Sequence, residues 1–401
     1  MFITNVLAAR LLPQEIFGQF TMIRSTMALI GNFINNPLGL SLTRKVGEFK
    51  NSKDPIVGEL IVTTFLFSGF VLLLVVVFFA LFSNWIISSF FLDTPNFKIA
   101  LFIGLLILIT TNLSFLIQNT LIGLEKFKRI AITSGLSTLI SVPIIYFLIK
   151  EFGLYGALFG AALFFLLDFI FKFLSIFKSI TLNLTESVKK IFSYSKRLMS
   201  FSLPLFLSVV LNSGAFWYSK VIIINLNKNF SGIAVFDAAY QILTIILIIT
   251  GATTSVALPM LSKAFGENDG KKFNRIFKLN LFINILIASL IALVFIVFAK
   301  HIMLLYGEKY VSGKNILIIL SVASVFFSIS SILNKFFIAN NRVWYILLVS
   351  VVSMITLFTV LKIFISLNIL GLTLAISSYY IAAVTMYILI MIVRKKEFKI
   401  G

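Results

Sequence analysis

The sequence predicts an all-α integral membrane protein of about twelve transmembrane helices, arranged as two six-helix lobes related by a parallel repeat. Three observations lead to this prediction. The chain is 60% hydrophobic and only 12% charged, it contains eleven apolar stretches of bilayer-spanning length, and its second half echoes its first. Because a backbone in hydrocarbon must satisfy its own hydrogen bonds, each apolar stretch is predicted to be a helix.

The predicted spans follow one another with short connectors. The eleven complete ones are Phe20 to Leu40, Leu60 to Phe82, Ile99 to Leu121, Ile130 to Ile149, Leu154 to Phe177, Phe201 to Leu226, Ile233 to Leu261, Leu279 to Phe298, Ile316 to Ile338, Val343 to Ile365 and Ile369 to Val393. The residues before Pro13 would form only about 18 Å of helix, against a bilayer core of about 30 Å. We therefore expect a truncated first span that lacks about 24 residues by comparison with the repeat, or else a half-length or re-entrant helix.

The internal repeat has an offset of about 216 residues. Matched positions include Phe20 and Phe236, Ser114 and Ser330, Gln118 and Asn334, and, with a small slip, Gly156 and Gly371. Both halves have the same order of spans, similar connector lengths and the same alternation of charge. We therefore expect a parallel repeat of two lobes.

The longest connector joins the two predicted lobes. The sequence places the N-terminal lobe at residues 1–178, a cytoplasmic linker at residues 179–200 and the C-terminal lobe at residues 201–401. Because the linker mixes basic residues with Ile191, Phe192 and Tyr194, it is predicted to form a short amphipathic helix on the cytoplasmic face.

The chain has a net charge of +20, and its cations are distributed as expected for a multi-pass membrane protein. Twenty-four cations, Lys172 and Lys335 among them, lie in alternate connectors and at the C-terminus, whereas only seven lie in the opposite connectors. By the positive-inside rule the first set is cytoplasmic, which places the C-terminus in the cytoplasm. No nucleic-acid partner is expected, since topology already accounts for the excess charge.

Composition and motifs also argue against catalysis. The chain has no cysteine and one histidine, His301, so disulfides and cysteine-based metal sites are excluded. The connectors contain no paired carboxylates, catalytic triad or metal-ligand cluster. We therefore expect a protein without cofactor or metal that is not an enzyme.

Three segments resemble a known family. These are the run Leu11 to Phe20, Gly39 with Arg44 at the end of span two, and Ala257 to Ser262 at the end of span eight. With the repeat, they resemble the polysaccharide and O-antigen flippases of the multidrug/oligosaccharidyl-lipid/polysaccharide exporter (MOP) superfamily.

The resemblance implies a function. Such proteins flip undecaprenyl-diphosphate-linked oligosaccharide units, of O-antigen or of capsular polysaccharide and exopolysaccharide, across the bacterial cytoplasmic membrane by alternating access. Membrane lipids, a polysaccharide polymerase and glycosyltransferases are the partners that it implies. A multidrug cation antiporter of the same superfamily is the alternative function, and a membrane scaffold or polymerase without transport is a third.

Polar residues inside the spans are the candidate binding groups, because they are costly in lipid. The resemblance implies a wet cavity between the lobes, lined by Arg24, Asn32, Asn35, Asn212, Lys220, Tyr240, Gln241 and Thr244. Arginine and lysine suit a diphosphate, and the hydroxyl and amide groups suit sugars. The alternatives are helix packing for the polar stripes and snorkelling to the interface for Arg24 and Lys362.

Two acids inside the spans have two readings each. Asp168 is four residues before Lys172, so that a structural ion pair on one helix face is expected. Asp237 is expected to cap span eight or to pair with a cation such as Lys228. In the alternative reading, either acid couples transport to protons or sodium ions.

Overall fold

The computed structural model describes residues 2–48, 55–92, 97–177, 187–267 and 269–394. In these ranges the regular structure is helical and contains no strand. The helices are α1 Phe2–Leu11, α2 Gln14–Glu48, α3 Pro55–Phe90, α4 Phe97–Gly123, α5 Phe127–Phe177, α6 Ser187–Asn227, α7 Ser231–Gly266, α8 Gly270–Val297, α9 Ala299–Leu304, α10 Lys314–Ala339, α11 Val343–Ile363 and α12 Ile369–Val393. Short 3-10 turns cover Glu308–Gly313 and Ile365–Leu367. The all-α class is confirmed.

The helices have the length and composition of membrane spans. Nine helices in the described residues are long and apolar enough to cross a bilayer. One of them, α5, contains two predicted spans that meet at Gly153, where φ is 53° and ψ is −122°. The helix α2, whose apolar sequence contains Arg24, Asn32 and Asn35, is not among the nine. The protein is therefore a multi-pass membrane protein.

The helix α1 has ten residues, in line with the short first span that the sequence predicts. The linker differs from the simplest reading of the sequence. The first part of the predicted linker lies outside the described residues, and from Ser187 onward the chain is already helical. That helix continues to Asn227, so residues 187–200 belong to the same long helix as the seventh span rather than to a separate short one.

The chain divides into two compact units. The N-terminal unit comprises Met1–Phe206 with Lys228–Phe230, and the C-terminal unit comprises Leu207–Asn227 with Ser231–Gly401. In the N-terminal unit, α4 packs against α2, α3 and α5. Its apolar core includes Ile117, Leu121 and Ile176, all fully buried. The central position of α4 brings polar residues of that helix close to both halves of α5.

The C-terminal unit repeats this plan around α10. This helix packs against α7, α8 and α12, and α11 packs against α12. Ile246, Ala288 and Ala292 form an apolar cluster between α7 and α8, with Val325 of α10 packed against it. The first turn of α8 is capped by Asp269, whose carboxylate accepts the backbone N–H of Lys272 at 2.8 Å.

Backbone geometry at the helix ends supports the repeat. After α4 the chain turns at Glu125 with φ 57°, and after α10 it turns at Asn341 with φ 56°. The next residue in each case, Lys126 or Arg342, donates its N–H five residues back at 2.9 Å. The same cap thus ends the equivalent helix of each unit.

A second pair of turns, one in each unit, also has matching backbone angles. Gly153 of α5 and Asn368 before α12 have φ of 53° and 51° and ψ of −122° and −115°. Three residues later, a Cβ at Gly156 would lie 1.8 Å from the carbonyl oxygen of Leu148, and one at Gly371 would lie 2.1 Å from that of Phe364. Both turns therefore require a glycine for the close approach of successive spans.

Candidate functional site

A polar cavity lies inside the C-terminal unit. It has a volume of about 260 Å³. Its lining residues come from α6, α10, α11 and α12 and are Asn212, Phe327, Ser330, Ser331, Asn334, Lys335, Val349, Ser350, Tyr379, Tyr380, Ala383 and Tyr387. Amides, hydroxyls and aromatic rings with a lysine form a lining that suits a hydroxylated ligand.

The only charged side chain in this lining is Lys335, in the part of the chain that the structure describes. The sequence reading counted Lys335 among the cytoplasmic connector cations, and that assignment was wrong. Lys335 lies within α10, four residues before its end, and is partly buried. No acidic side chain of the described residues lines the cavity. The cavity therefore has a positive character.

Tyrosines form one wall of the cavity. The hydroxyl of Tyr387 accepts a hydrogen bond from Asn334 Nδ2 at 3.2 Å. The hydroxyl of Tyr380 lies 3.5 Å from that of Tyr240 on α7. Tyr379 shares the lining with Ser350 and Asn212. The hydroxyls of Tyr387 and Tyr380 therefore contact groups on the neighbouring helices α10 and α7.

Of the five predicted binding residues of the C-terminal unit, Asn212 lines this cavity and Tyr240 lies beside it, whereas Lys220, Gln241 and Thr244 do not line it. Asn212 lines the cavity, and its Oδ1 atom is buried without a hydrogen-bond partner among the described residues. Tyr240 reaches the cavity through Tyr380. By contrast, Gln241 accepts a hydrogen bond from Tyr306 at 3.0 Å, and Thr244 donates to the Gln241 carbonyl at 2.6 Å. The functional groups of Gln241 and Thr244 make contacts inside the helix bundle.

Lys220 and Asp237 form a buried ion pair. Lys220 Nζ lies 2.6 Å from Asp237 Oδ1, and the two side chains are 12% and 8% exposed. Lys220 also lies 5.7 Å from the centroid of the Phe236 ring. The expected pairing of Asp237 with a cation is confirmed, but the partner is Lys220 rather than Lys228, because α6 and α7 place Lys220 opposite the acid. The second oxygen, Oδ2, has no hydrogen-bond partner in the described residues.

The N-terminal unit buries a second acid. Asp168 and Lys172 on the second half of α5 form the expected ion pair, with Nζ and Oδ2 2.5 Å apart. Ser134 donates to Asp168 Oδ1 at 2.8 Å, and Ser114 donates to Oδ2. Lys172 also donates to Gln118 Oε1 at 2.8 Å. Its assignment to a connector was wrong, because Lys172 lies within α5 and is buried.

The polar stripe of α2 makes contacts between helices. Arg24 donates to Asn5 Oδ1 of α1 and lies 5.4 Å from the centroid of the Phe20 ring. Asn35 is buried and accepts a hydrogen bond from Asn112 at 2.5 Å. Asn32 is partly buried. For Asn35 the structure shows the packing contact that the sequence left open as an alternative.

The sequence reading missed most of the cavity. Ser330 and Asn334 were noted only as repeat-related polar positions, and the tyrosines of α12 were not selected. Their spacing carried a usable signal, since Tyr379, Tyr380 and Tyr387 fall on neighbouring helical positions. In an apolar span such aromatic residues are easily taken for lipid-facing or packing groups.

Two family profiles match the chain, each over part of its length. The family profile described as "Polysaccharide biosynthesis protein" matches residues 1–265. The profile described as MatE matches residues 204–364. No curated protein sequence matches the chain significantly.

Solved structures share the fold at low sequence identity. The inward-facing conformation of a multidrug resistance MATE family transporter of the MOP superfamily is 15% identical, with a TM-score of 0.78 over 99% of this chain and 94% of that chain. The lipid II flippase MurJ in an inward closed conformation is 18% identical, with a TM-score of 0.73 over 97% of this chain and 85% of that chain. A MOP superfamily transporter from Pyrococcus furiosus, described by the reverse polarity of its binding pocket, is 16% identical, with a TM-score of 0.67 over 98% of this chain and 90% of that chain.

Proposed function

Because the chain belongs to the polysaccharide biosynthesis protein family, we propose that it is a flippase for undecaprenyl-diphosphate-linked oligosaccharide. It moves O-antigen, capsular or exopolysaccharide repeat units across the bacterial cytoplasmic membrane by alternating access. Glycosyltransferases that build the unit and a polymerase that extends it are the partners that this chemistry requires.

The charge of the cavity is the observation that carries this proposal. Lys335 lies in a lining without an acid among the described residues. The two buried acids of the described spans each have a lysine partner, at 2.5 Å for Asp168 and at 2.6 Å for Asp237. The described cavity therefore favours an anionic ligand over a cationic one.

The predicted cavity cations have a proposed part in this reaction. Arg24 offers a planar guanidinium that fits phosphate oxygens, and Lys220 offers a point charge that Asp237 holds in place. We assign Arg24 and Lys220, with Asn32 and Asn212 as hydrogen-bonding groups, to the path of the diphosphate sugar. Of the two acids, Asp237 is the better candidate for coupling to an ion gradient, because its Oδ2 has no partner in the described part of the chain.

A reconstituted assay tests this function. The purified chain is placed in liposomes that contain a fluorescent polyprenyl-diphosphate oligosaccharide, and a membrane-impermeant glycosidase reports the fraction on the outer leaflet. The wild type is expected to expose the inner pool to the enzyme. Arg24→Gln is expected to lower the flipping rate about tenfold, because a hydrogen bond to a charged group contributes roughly 1.5–3 kcal/mol.

The matched control is Lys362→Gln. Lys362 is an exposed cation in the last turn of α11, so its loss removes the same charge at a position outside the proposed path of the diphosphate sugar. This variant is expected to flip at the wild-type rate. Equal rates with and without the wild-type protein would contradict the flippase proposal.

A cation exporter is the second candidate function. It is favoured by the MatE profile over residues 204–364, a range that includes Asp237 with its unpartnered Oδ2. A carboxylate oxygen of this kind could receive a cationic drug. Efflux of ethidium from loaded liposomes, lost in Asp237→Asn, would support this candidate in place of the flippase.

A further inference from the structure

The N-terminal unit shows how this fold binds a carboxylate inside the bundle. The carboxylate of Asp168 accepts hydrogen bonds from Ser114 on α4 and from Ser134 and Lys172 on α5. Gln118 accepts a second hydrogen bond from Lys172. The site is complete, because each carboxylate oxygen has at least one donor and the negative charge has a cation.

The repeat places the same set of positions around the cavity of the C-terminal unit. With the offset of about 216 residues, Ser114, Gln118 and Ser134 correspond to Ser330, Asn334 and Ser350. All three of these line the cavity.

The offset is one residue shorter beyond the second pair of turns. There Gly153 matches Asn368, and Gly156 matches Gly371. Lys172 accordingly matches Tyr387, which contacts Asn334 as Lys172 contacts Gln118.

The carboxylate is the group that the C-terminal unit lacks. By the same offset Asp168 matches Ala383, which lines the cavity. A methyl group thus stands where the N-terminal unit has an acid. The donors around that place remain, since Tyr387 accepts from Asn334 and keeps its own O–H proton for donation. Lys335, beside Asn334 in sequence, supplies the positive charge.

We propose that this cavity binds the carboxylate of an acidic sugar, such as a uronic acid, in the oligosaccharide that the protein carries. The proposal rests on the proposed flippase function and names a property of its substrate. Ser330, Ser350 and Tyr387 donate hydrogen bonds to the carboxylate, and Lys335 neutralises it. The ligand carboxylate takes the place that Asp168 occupies in the other unit.

The rest of the lining fits a sugar ring. Asn212 Oδ1 is a buried acceptor without a partner in the described residues, and a sugar hydroxyl would donate to it. Tyr379 and Tyr380 add aromatic surface. The volume of about 260 Å³ lies just below the range of roughly 300–1,000 Å³ for drug-sized ligands, which limits the occupant to the scale of a monosaccharide.

Binding of free sugars to the purified full chain tests the proposal without transport. Thermal unfolding and calorimetric titration are measured with glucuronate, glucose and inorganic phosphate. Glucuronate is expected to bind and to raise the unfolding temperature, whereas glucose and phosphate are not. Lys335→Gln is expected to weaken glucuronate binding about tenfold or more, since a charge-assisted hydrogen bond contributes roughly 1.5–3 kcal/mol. Lys362→Gln, the matched charge control, is expected to bind as the wild type does.

Ala383→Asp is the sharper variant. It places a carboxylate among the same donors, so glucuronate is expected to lose its site while Lys335 gains an internal partner. If this variant fails to fold, Lys335→Gln and Ser350→Ala still test the site, because both keep the size of the cavity close to that of the wild type.

Three results would overturn the proposal. Equal binding of glucose would show that the carboxylate is not recognised, and equal binding of phosphate would assign the site to the diphosphate instead. Absence of glucuronate binding, in a protein that still flips lipid-linked oligosaccharide, would remove the acidic-sugar site and leave the proposed function intact.

Discussion

The Asp168–Lys172 pair is the most enclosed charge pair in the described spans. Its side chains are 6% and 1% exposed, and Ser114, Ser134 and Gln118 supply the remaining hydrogen bonds. Removing two charges from water costs several kcal/mol for each ion, and a pair offsets that cost only when its other polar atoms are also satisfied. The serines and the glutamine therefore matter as much as the lysine.

Because the pair is enclosed, the stability of the folded protein is expected to depend strongly on both residues. Asp168→Leu leaves Lys172 buried without its counter-ion and is expected to destabilise the protein by about 3–5 kcal/mol. The double variant Asp168→Leu/Lys172→Met removes both charges and is expected to recover most of that loss. Thermal unfolding in detergent, followed by size-exclusion chromatography, measures both.

The exposed pair of Glu267 and Lys272 provides the control. Its atoms are 2.7 Å apart, but the side chains are 42% and 47% exposed. Lys272→Met is expected to change the unfolding temperature little, because water and salt screen an exposed pair. If the single and double variants at the buried pair unfold at the same temperature, the two charges are not coupled.

Residue contacts were predictable where sequence spacing determines them. Asp168 and Lys172 lie four residues apart on one helix, so their pairing could be read from the sequence. Lys220 and Asp237 lie on different helices, and nothing in their spacing shows that they meet. Lys335 was placed in a connector because it lies near the end of an apolar stretch, where sequence alone places a boundary only to within a few residues.

At the scale of the element, Gly156 and Gly160 allow the two halves of α5 to pack closely. The chain reverses at Gly153, and a Cβ at Gly160 would lie 2.8 Å from Ile145 Cγ1. Gly156 and Gly160 lie four residues apart, and both approach the first half of the helix closely, as small residues do at helix contacts in membranes. The chain reversal itself was expected from the two adjacent spans, but its backbone conformation was not.

Gly156→Ala is expected to lower the stability of the folded protein. The new Cβ would lie 1.8 Å from the Leu148 carbonyl oxygen, which is backbone and cannot move aside without opening the turn. Overpacking of this kind costs about 1–3 kcal/mol, and we expect a loss at the upper end of that range. Unfolding temperature and yield of folded protein in detergent measure the effect.

Gly135→Ala is the matched control within the same helix. A Cβ at Gly135 meets no atom within 4 Å. Alanine there is expected to be neutral or to stabilise the helix by up to about 1 kcal/mol, since glycine loses more conformational freedom in a helix. Equal stability of the two variants would show that the turn adjusts to a side chain at Gly156.

At the scale of the whole molecule, the repeat has produced two units with the same architecture and different polar interiors. The N-terminal unit fills its buried site with Asp168, whereas the C-terminal unit has Ala383 at the matching position and a cavity beside it. The number and order of the spans were predictable, because bilayer thickness limits the length of every element. The difference between the interiors was not, because it depends on which polar side chains meet across helices.

Topology follows from the distribution of charge and remains a prediction of the sequence. The positive-inside rule places the connector at Lys128 and the end of α12 at Arg394 in the cytoplasm, and places Lys98 and Lys300 outside. The chain has no cysteine, so single cysteines can be introduced at these four positions without any background. Each of the four side chains is exposed.

Labelling with a membrane-impermeant maleimide in intact spheroplasts tests the orientation. Lys98→Cys and Lys300→Cys are expected to react from outside, whereas Lys128→Cys and Arg394→Cys are expected to react only after the membrane is permeabilised. The reverse pattern of labelling would show that the protein has the opposite orientation in the membrane. Reaction of Lys98→Cys and Lys128→Cys from the same side would instead contradict α4 as a single span, because Lys98 lies in the first turn of that helix and Lys128 lies beyond its end.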